Sequence, residues 1–131
     1  MAINVLLVDD SAVMRSVVHR ILTMTGVPLG RVFEAGDGAS ALATLKSECV
    51  DLMMLDISMP VMRGDEMLEL MRRDSGLADL PVIVISSERS GERIAQVERL
   101  GAFYISKPFL PEQLREIILQ ATGIGDECCI D

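Results

Sequence analysis

Two apolar segments of this sequence lack the alternation of apolar and polar residues that marks a strand with one face in solvent. They are INVLLV at residues 3–8 and PVIVIS at residues 81–86. A strand of this kind is covered on both faces, which is typical of a parallel sheet that lies between helices. The segments RVFEA (31–35), VDLMMLD (50–56) and AFYIS (102–106) complete a set of five predicted strands.

Segments with helical spacing follow each strand. Ser11 is the predicted N-cap of the first helix, and Gly26 and Pro28 end it. The predicted apolar faces of the five helices are Met14, Val17, Val18, Ile21 and Leu22; Ala41, Leu42 and Leu45; Met67, Leu70 and Met71; Ile94, Val97 and Leu100; and Leu114, Ile117, Ile118 and Ala121. Ser90 is a predicted cap of the fourth helix, and Pro111 stands in the first turn of the fifth.

Strands that alternate with helices predict an α/β fold in which right-handed crossovers place helices on both faces of a parallel sheet. The sequence therefore predicts a three-layer doubly wound (βα)5 sandwich. We expect one domain at residues 1–122, followed by a short tail at 123–131. No repeat, linker or second domain is visible.

The net charge of −8 is spread along the chain, which argues against binding to nucleic acid. No apolar run approaches the roughly 18 residues of a membrane span, and no secretory signal is evident, so we expect a cytoplasmic protein without membrane contact. Cys49 is expected to be a small buried residue. Cys128 and Cys129 lie far from the single histidine, His19, so zinc is not expected.

Polar residues occur where four of the predicted strands end. Asp9 and Asp10 follow the first strand, Asp56 ends the third, Ser86 ends the fourth, and Lys107 follows the fifth. The carboxyl ends of parallel strands share one edge of the sheet, where ligands bind in such folds. Each residue alone would be an ordinary cap, turn or surface residue, but their arrival at one edge predicts a site.

Three carboxylates at one edge repel each other by about 4 kcal/mol per pair at 4 Å and an effective dielectric constant of 20. A hard divalent cation relieves that repulsion, and Mg²⁺ binds a few carboxylates while it keeps several waters. Asp56 can attack phosphorus to form an acyl phosphate. Mg²⁺ at Asp9 and Asp10, with Lys107 and Ser86, would surround the phosphoryl oxygens.

The sequence resembles the receiver domains of bacterial two-component response regulators, the family of the chemotaxis regulators. The matching segments are LLVDDSAVMR, EAGDGASAL, DLMMLDISMPVMRGDE, PVIVISS and GAFYISKPF, which span the chain from about residue 3 to residue 122. The resemblance implies a flavodoxin-like sheet of order 2-1-3-4-5. It also implies a phospho-accepting switch rather than an enzyme, with a histidine kinase or a phosphotransfer protein as donor.

The resemblance assigns roles to individual residues. Asp56 looks like the phosphoacceptor, and Mg²⁺, with Mn²⁺ as an alternative, would bind Asp9, Asp10, Asp56 and the backbone carbonyl of Ser58. Ser86 and Lys107 look like the groups that bind the phosphoryl oxygens, and the bond from Lys107 to Pro108 is cis in the family.

The family also implies a switch face built from the fourth helix, the fifth strand and the fifth helix, which a downstream protein reads. Tyr104 matches the aromatic residue that turns inward on activation; a half-buried strand aromatic is the simpler alternative. Ser58 and Glu88 occupy positions that tune the lifetime of the acyl phosphate in the family.

Other functions stay as alternatives. An aspartyl-phosphate hydrolase would need a carboxylate at position 58, where this chain has Ser58. A flavin module would need a phosphate cradle, which the acidic first loop does not offer. A phosphorylation-independent scaffold would typically lack one of the site residues. We expect a monomeric stand-alone receiver in chemotaxis or another phosphorelay, with a fragment of a longer regulator as the alternative.

Overall fold

The structure is a computed structural model and describes residues 2–56, 64–74, 76–86 and 91–123. Within these ranges five strands alternate with five helices, as the sequence predicts. The strands are β1 (Ile3–Val8), β2 (Leu29–Ala35), β3 (Leu52–Asp56), β4 (Val82–Ser86) and β5 (Phe103–Ser106). The helices are α1 (Ala12–Met24), α2 (Gly38–Ser47), α3 (Gly64–Arg73), α4 (Gly91–Arg99) and α5 (Pro111–Thr122).

The strands form one parallel sheet in the order β2-β1-β3-β4-β5, which confirms the predicted topology. Successive residues of each strand point to opposite faces, so the sheet contributes to two separate cores. Leu6 and Val8 of β1 pack with α2, α3 and α4, whereas Val5 and Leu7 pack with α1 and α5. Helices thus cover both faces, which explains why the central strands are apolar throughout.

Two helix faces differ in detail from the sequence expectation. Val17 of α1 is 44% exposed and Leu70 of α3 is 45% exposed, although both were expected in the core. In α3, Leu68 is buried instead, together with Met67 and Met71. Each helix contacts only one face of the sheet, so its buried stripe spans about 100°. A residue at the margin of that stripe can have the expected helical spacing and still be exposed.

Cys49 is exposed, so its prediction as a buried residue is wrong. It lies between α2 and β3, where the chain enters the sheet from the surface. The predicted cap at Ser90 and the tail residues Cys128 and Cys129 lie outside the described residues. Among those described, no helix is long and apolar enough to cross a membrane.

Asn4 fixes how β1 pairs with β2. The register shifts between the pairs Ile3–Leu29 and Val5–Val32, so two β2 residues oppose Asn4 in a bulge. The Asn4 Oδ1 accepts a hydrogen bond from the Arg31 amide at 2.8 Å, and its Nδ2 donates to the Cys49 carbonyl at 2.9 Å. The side chain therefore links the β1–β2 bulge to the segment before β3. The bulge sets which residues of β1 and β2 pair with each other up to the other end of β1, where the candidate site lies.

Replacing Asn4 by Ala should lower the free energy of unfolding by about 1 kcal/mol, because two solvent-exposed hydrogen bonds of the bulge are lost. Urea unfolding followed by circular dichroism measures the change. Ser47→Ala is the control, since the Ser47 hydroxyl makes only a long 3.5 Å bond on the exposed end of α2. Equal stability of the Asn4 variant and wild type would contradict the role of this side chain.

Candidate functional site

The polar residues predicted from the strand ends meet at one edge of the sheet. Asp9 follows β1, Asp56 is the last residue of β3, and Ser86 is the last residue of β4. All three are nearly inaccessible to solvent, with exposed fractions of 6%, 8% and 1%. A cluster of buried polar groups needs compensating partners, so the surroundings of each residue decide what the site can do.

Asp9 is held by the elements on either side of it. Its amide donates to the Ala35 carbonyl at the end of β2, at 3.1 Å. Its carboxylate Oδ1 accepts a 2.9 Å hydrogen bond from the Ser11 amide at the start of α1. Ser11 is the N-cap of that helix, as predicted, and its hydroxyl accepts the Met14 amide at 3.2 Å. Because α1 begins so soon after β1, the Ser11 amide is close enough to hold the Asp9 carboxylate at the edge of the sheet.

Asp9, Asp10 and Asp56 form a cluster of carboxylates. One oxygen from each lies within 4.8 Å of the others. Asp10 is exposed while its two neighbours are buried, so the cluster opens to solvent on one side. Carboxylate oxygens with access to solvent on one side are the donor set that Mg²⁺ favours, since it keeps several waters, and the residues present therefore fit that ion.

The pKa of Asp9 is raised above its ordinary value, chiefly because burial disfavours the charged form. The hydrogen bond from the Ser11 amide opposes this rise, the charge of Asp56 adds to it, and the charge of Lys107 opposes it again. A cation bound at this edge would favour the charged form of Asp9 and so oppose the rise.

Lys107 and Ser86 approach the cluster from the neighbouring strands. The Lys107 amide donates to the Ser86 carbonyl at 3.0 Å, which joins the end of β5 to the end of β4. The bond between Lys107 and Pro108 is cis, as the resemblance implied. Ser86 thus ends the strand next to β3, and Lys107 follows the strand beyond it, so a hydroxyl and an ammonium group come from the two strands on one side of Asp56.

Tyr104 lies on the edge strand β5, two residues before its end. It is partly buried and packs against the core that β4 shares with α2, α3 and α4. Val84 of β4 is its neighbour in the sheet, and Ser86 lies two residues further along the same strand. Tyr104 thus lies close to the end of β4 that carries Ser86.

Arg15 is a site residue that the sequence reasoning did not single out. Its Nε donates to the Glu34 carboxylate at 2.9 Å, and its Nη1 donates to the Asp9 carbonyl at 2.5 Å. The guanidinium also lies beside the end of β2, because a Cβ atom added to Gly36 would be 3.5 Å from Nη1. The sequence feature that could have pointed to Arg15 is its position four residues after Ser11, the N-cap of α1. The predicted roles of Ser58 and Glu88 fall outside the described residues.

Comparison with known proteins identifies the family of this chain. The sequence pattern of the response regulator receiver domain matches residues 5–119. The chemotaxis protein CheY-3 of Vibrio cholerae is 37% identical over 114 residues, which are 86% of each chain. The chemotaxis protein CheY of Pseudomonas aeruginosa is 34% identical over 116 residues, which cover 88% of this chain and 92% of the relative.

Solved structures agree as well. The structure of the Vibrio cholerae chemotaxis protein CheY4 superposes with a TM-score of 0.81 at 32% identity, and covers 92% of this chain and 99% of its own. A CheY-like receiver domain from Methanospirillum hungatei gives the same TM-score at 26% identity, over 97% and 98% of the two chains. The fold and site define a phospho-accepting signalling module. This chain belongs to the response regulator receiver domain family and is homologous to the CheY proteins of chemotaxis.

Replacing Asp9 by Asn should raise the free energy of unfolding at pH 7 without Mg²⁺, because burial disfavours the charged carboxylate and the amide carries no charge. The raised pKa means that the folded state holds the Asp9 proton more tightly than the unfolded state. Stability therefore falls as pH rises from about 4 through that raised pKa. The variant should lack this fall, because Asn carries no charge and keeps an oxygen for the Ser11 amide.

Urea unfolding at several pH values measures both effects. Asp37→Asn is the matched control, because the pKa of Asp37 is lowered by the hydrogen bond from the Ser40 amide. Loss of that favourable charge at the α2 cap should decrease stability, the opposite sign. An Asp9→Asn protein less stable than wild type in Mg²⁺-free buffer would refute the electrostatic account of the site.

Proposed function

We propose that this chain accepts a phosphoryl group on Asp56 in a Mg²⁺-dependent reaction. The observation that carries the proposal is the cluster of Asp9, Asp10 and Asp56, whose oxygens lie within 4.8 Å of each other at the sheet edge. Asp56 ends the central strand β3, so a phosphoryl group there would face the ends of both flanking strands. Receiver domains in general take phosphoryl groups from histidine kinases, and we assign the same donors here.

In the proposed transfer, an oxygen of the Asp56 carboxylate forms a bond to phosphorus. The bond from phosphorus to the donor breaks at the same centre, and a phosphohistidine donor leaves as imidazole. Bound Mg²⁺ would supply charge neutralisation for the phosphoryl oxygens, held by Asp9, Asp10, Asp56 and the carbonyl of Ser58. Mn²⁺, which also accepts oxygen ligands, would substitute for it.

We assign Lys107 and Ser86 to binding of the phosphoryl group. The group carries charge and three acceptor oxygens, and an ammonium and a hydroxyl are suitable donors. Both residues belong to strands on one side of Asp56, so a shift towards the phosphoryl group moves the ends of β4 and β5 together. The hydrogen bond from the Lys107 amide to the Ser86 carbonyl supports this coupling.

The proposed output is a change at the face formed by α4, β5 and α5. β5 is the edge strand of the sheet, and α4 and α5 both contact it. Tyr104 is partly buried there and would turn inward when Ser86 moves, which alters the surface that a downstream protein binds. We propose that the protein acts as a cytoplasmic monomer through residues 1–122, and that Ser58 and Glu88 tune the lifetime of the acyl phosphate.

Incubation with acetyl phosphate and Mg²⁺ should add one phosphoryl group to the wild type and none to Asp56→Asn, because the amide is not a nucleophile of this kind. Intact-protein mass spectrometry with and without Mg²⁺ measures the gain. Asp51→Asn is the matched control, since Asp51 lies before the opposite end of β3 and its variant keeps an oxygen for the Asn4 amide. Full labelling of Asp56→Asn would disprove the assignment, and so would labelling of wild type that does not depend on Mg²⁺.

Lys107→Ala should still take up the phosphoryl group but lose most of the conformational response. The chain has one tyrosine and no tryptophan, so the emission of Tyr104 reports on the switch face. Acetyl phosphate with Mg²⁺ should change that emission in wild type and in the control Lys46→Ala, whose side chain is exposed on α2. A full emission change in phosphorylated Lys107→Ala would rule out the proposed role of Lys107.

A further inference from the structure

The Arg15 guanidinium joins three elements of the fold at the acidic edge. The side chain leaves the first turn of α1, pairs with Glu34 of β2 at 2.9 Å and donates to the backbone carbonyl that follows β1, that of Asp9. It is only 18% exposed, whereas Glu34 is 43% exposed. The planar fork of a guanidinium suits this task because its donors reach two acceptors in a fixed geometry.

The carbonyl that Arg15 binds is the one in the peptide group between Asp9 and Asp10. Fixing this carbonyl fixes the plane of that peptide, and hence how the two carboxylates are oriented relative to each other. The Asp9 amide is held by Ala35 of β2 and its carboxylate by the Ser11 amide, so Arg15 completes the restraint on this residue. Metal affinity depends on such outer contacts, because they hold the ligands in the binding geometry.

Glu34 compensates the positive charge of Arg15, which lies next to the proposed cation site. An unpaired arginine there would repel a divalent ion, since Arg15 lines the same small cavity as Asp9 and Asp56. The ion pair brings a strong hydrogen-bond donor to the Asp9 carbonyl while it adds no net charge. The chain contains a contrasting pair, Arg31–Glu48, whose charged groups are 3.8 Å apart and whose arginine is 76% exposed. Such exposed pairs contribute little.

We propose that the Arg15–Glu34 ion pair is a positioning device that sets the Mg²⁺ affinity of the site by orienting the Asp9–Asp10 peptide. The inference rests on the proposed Mg²⁺ site at Asp9, Asp10 and Asp56. Neither Arg15 nor Glu34 is a ligand in this assignment, and both act through the backbone of Asp9.

The test is the dissociation constant for Mg²⁺, measured by calorimetric titration of the full chain without any phosphodonor. The double variant Arg15→Ala/Glu34→Ala removes the pair without changing the net charge, so it isolates the positioning effect. Its dissociation constant should rise about tenfold, the lower end of the range for lost outer contacts of metal ligands. The control Arg31→Ala/Glu48→Ala should bind Mg²⁺ as wild type does.

Urea unfolding of the Mg²⁺-free proteins separates positioning from a general structural role. A pair that only stabilises the fold would lower stability in the double variant and leave its Mg²⁺ affinity unchanged, and that result would overturn the inference. Equal weakening by the Arg31–Glu48 control would overturn it too.

Glu34→Gln provides an independent variant if the double variant does not fold. It leaves the guanidinium without its counter-charge, so Mg²⁺ should bind severalfold more weakly at low salt, and the difference should shrink as salt is added. Unchanged affinity at low salt would contradict the inference. Failure of the wild type itself to bind Mg²⁺ would instead refute the proposed function, so the two failures are distinct.

Discussion

The mutual repulsion of Asp9, Asp10 and Asp56 is the constraint on which the rest of this site depends. The parallel sheet brings the ends of β1 and β3 together, so the three carboxylates meet whether or not a cation is present. Burial makes the charges of Asp9 and Asp56 costly, and it is the main cause of the raised pKa of Asp9. The Ser11 amide and Lys107 offset part of the repulsion. An added charge should therefore have a strong effect on this site, because the repulsion between its carboxylates is only partly offset.

The opposite edge of the sheet is closed by hydrogen bonds between groups that need no external partner. Asn4 joins β1, β2 and the segment before β3 there. Arg72 donates to the Leu100 carbonyl at 2.7 Å and to the Leu80 carbonyl at 3.0 Å, which ties the end of α3 to the chain segments entering β4 and β5. Burial lowers the pKa of Arg72, and the charge of Asp79 opposes this. The strands are thus fixed at one edge, and the charged edge is left for ligands.

Features that depend only on where a single strand ends could be predicted from the sequence. Asp56 and Ser86 were located because a polar residue that ends an apolar strand can be read without knowing its neighbours, and the strand order came with the family. Val17 and Leu70 were placed wrongly because their burial depends on how wide a contact each helix makes with the sheet, and Cys49 because it lies in the connection between α2 and β3. The Arg15–Glu34 pair could not be predicted, because it depends on the register between β1 and β2, which the Asn4 bulge sets.

The pairing of β3, β4 and β5 links the end of β3 to the edge strand on the far side of β4. Asp56 is paired in the sheet with Ile85, next to Ser86, and Ser86 is paired with Ser106, next to Lys107. Packed interiors pass on displacements of this kind because they contain few voids to absorb them. Arg15 and Glu34 lie on the other side, where they hold Asp9 from β2. The fold therefore separates a fixed flank, which would hold the metal ligands, from the flank of β4 and β5, which in the proposed switch would move.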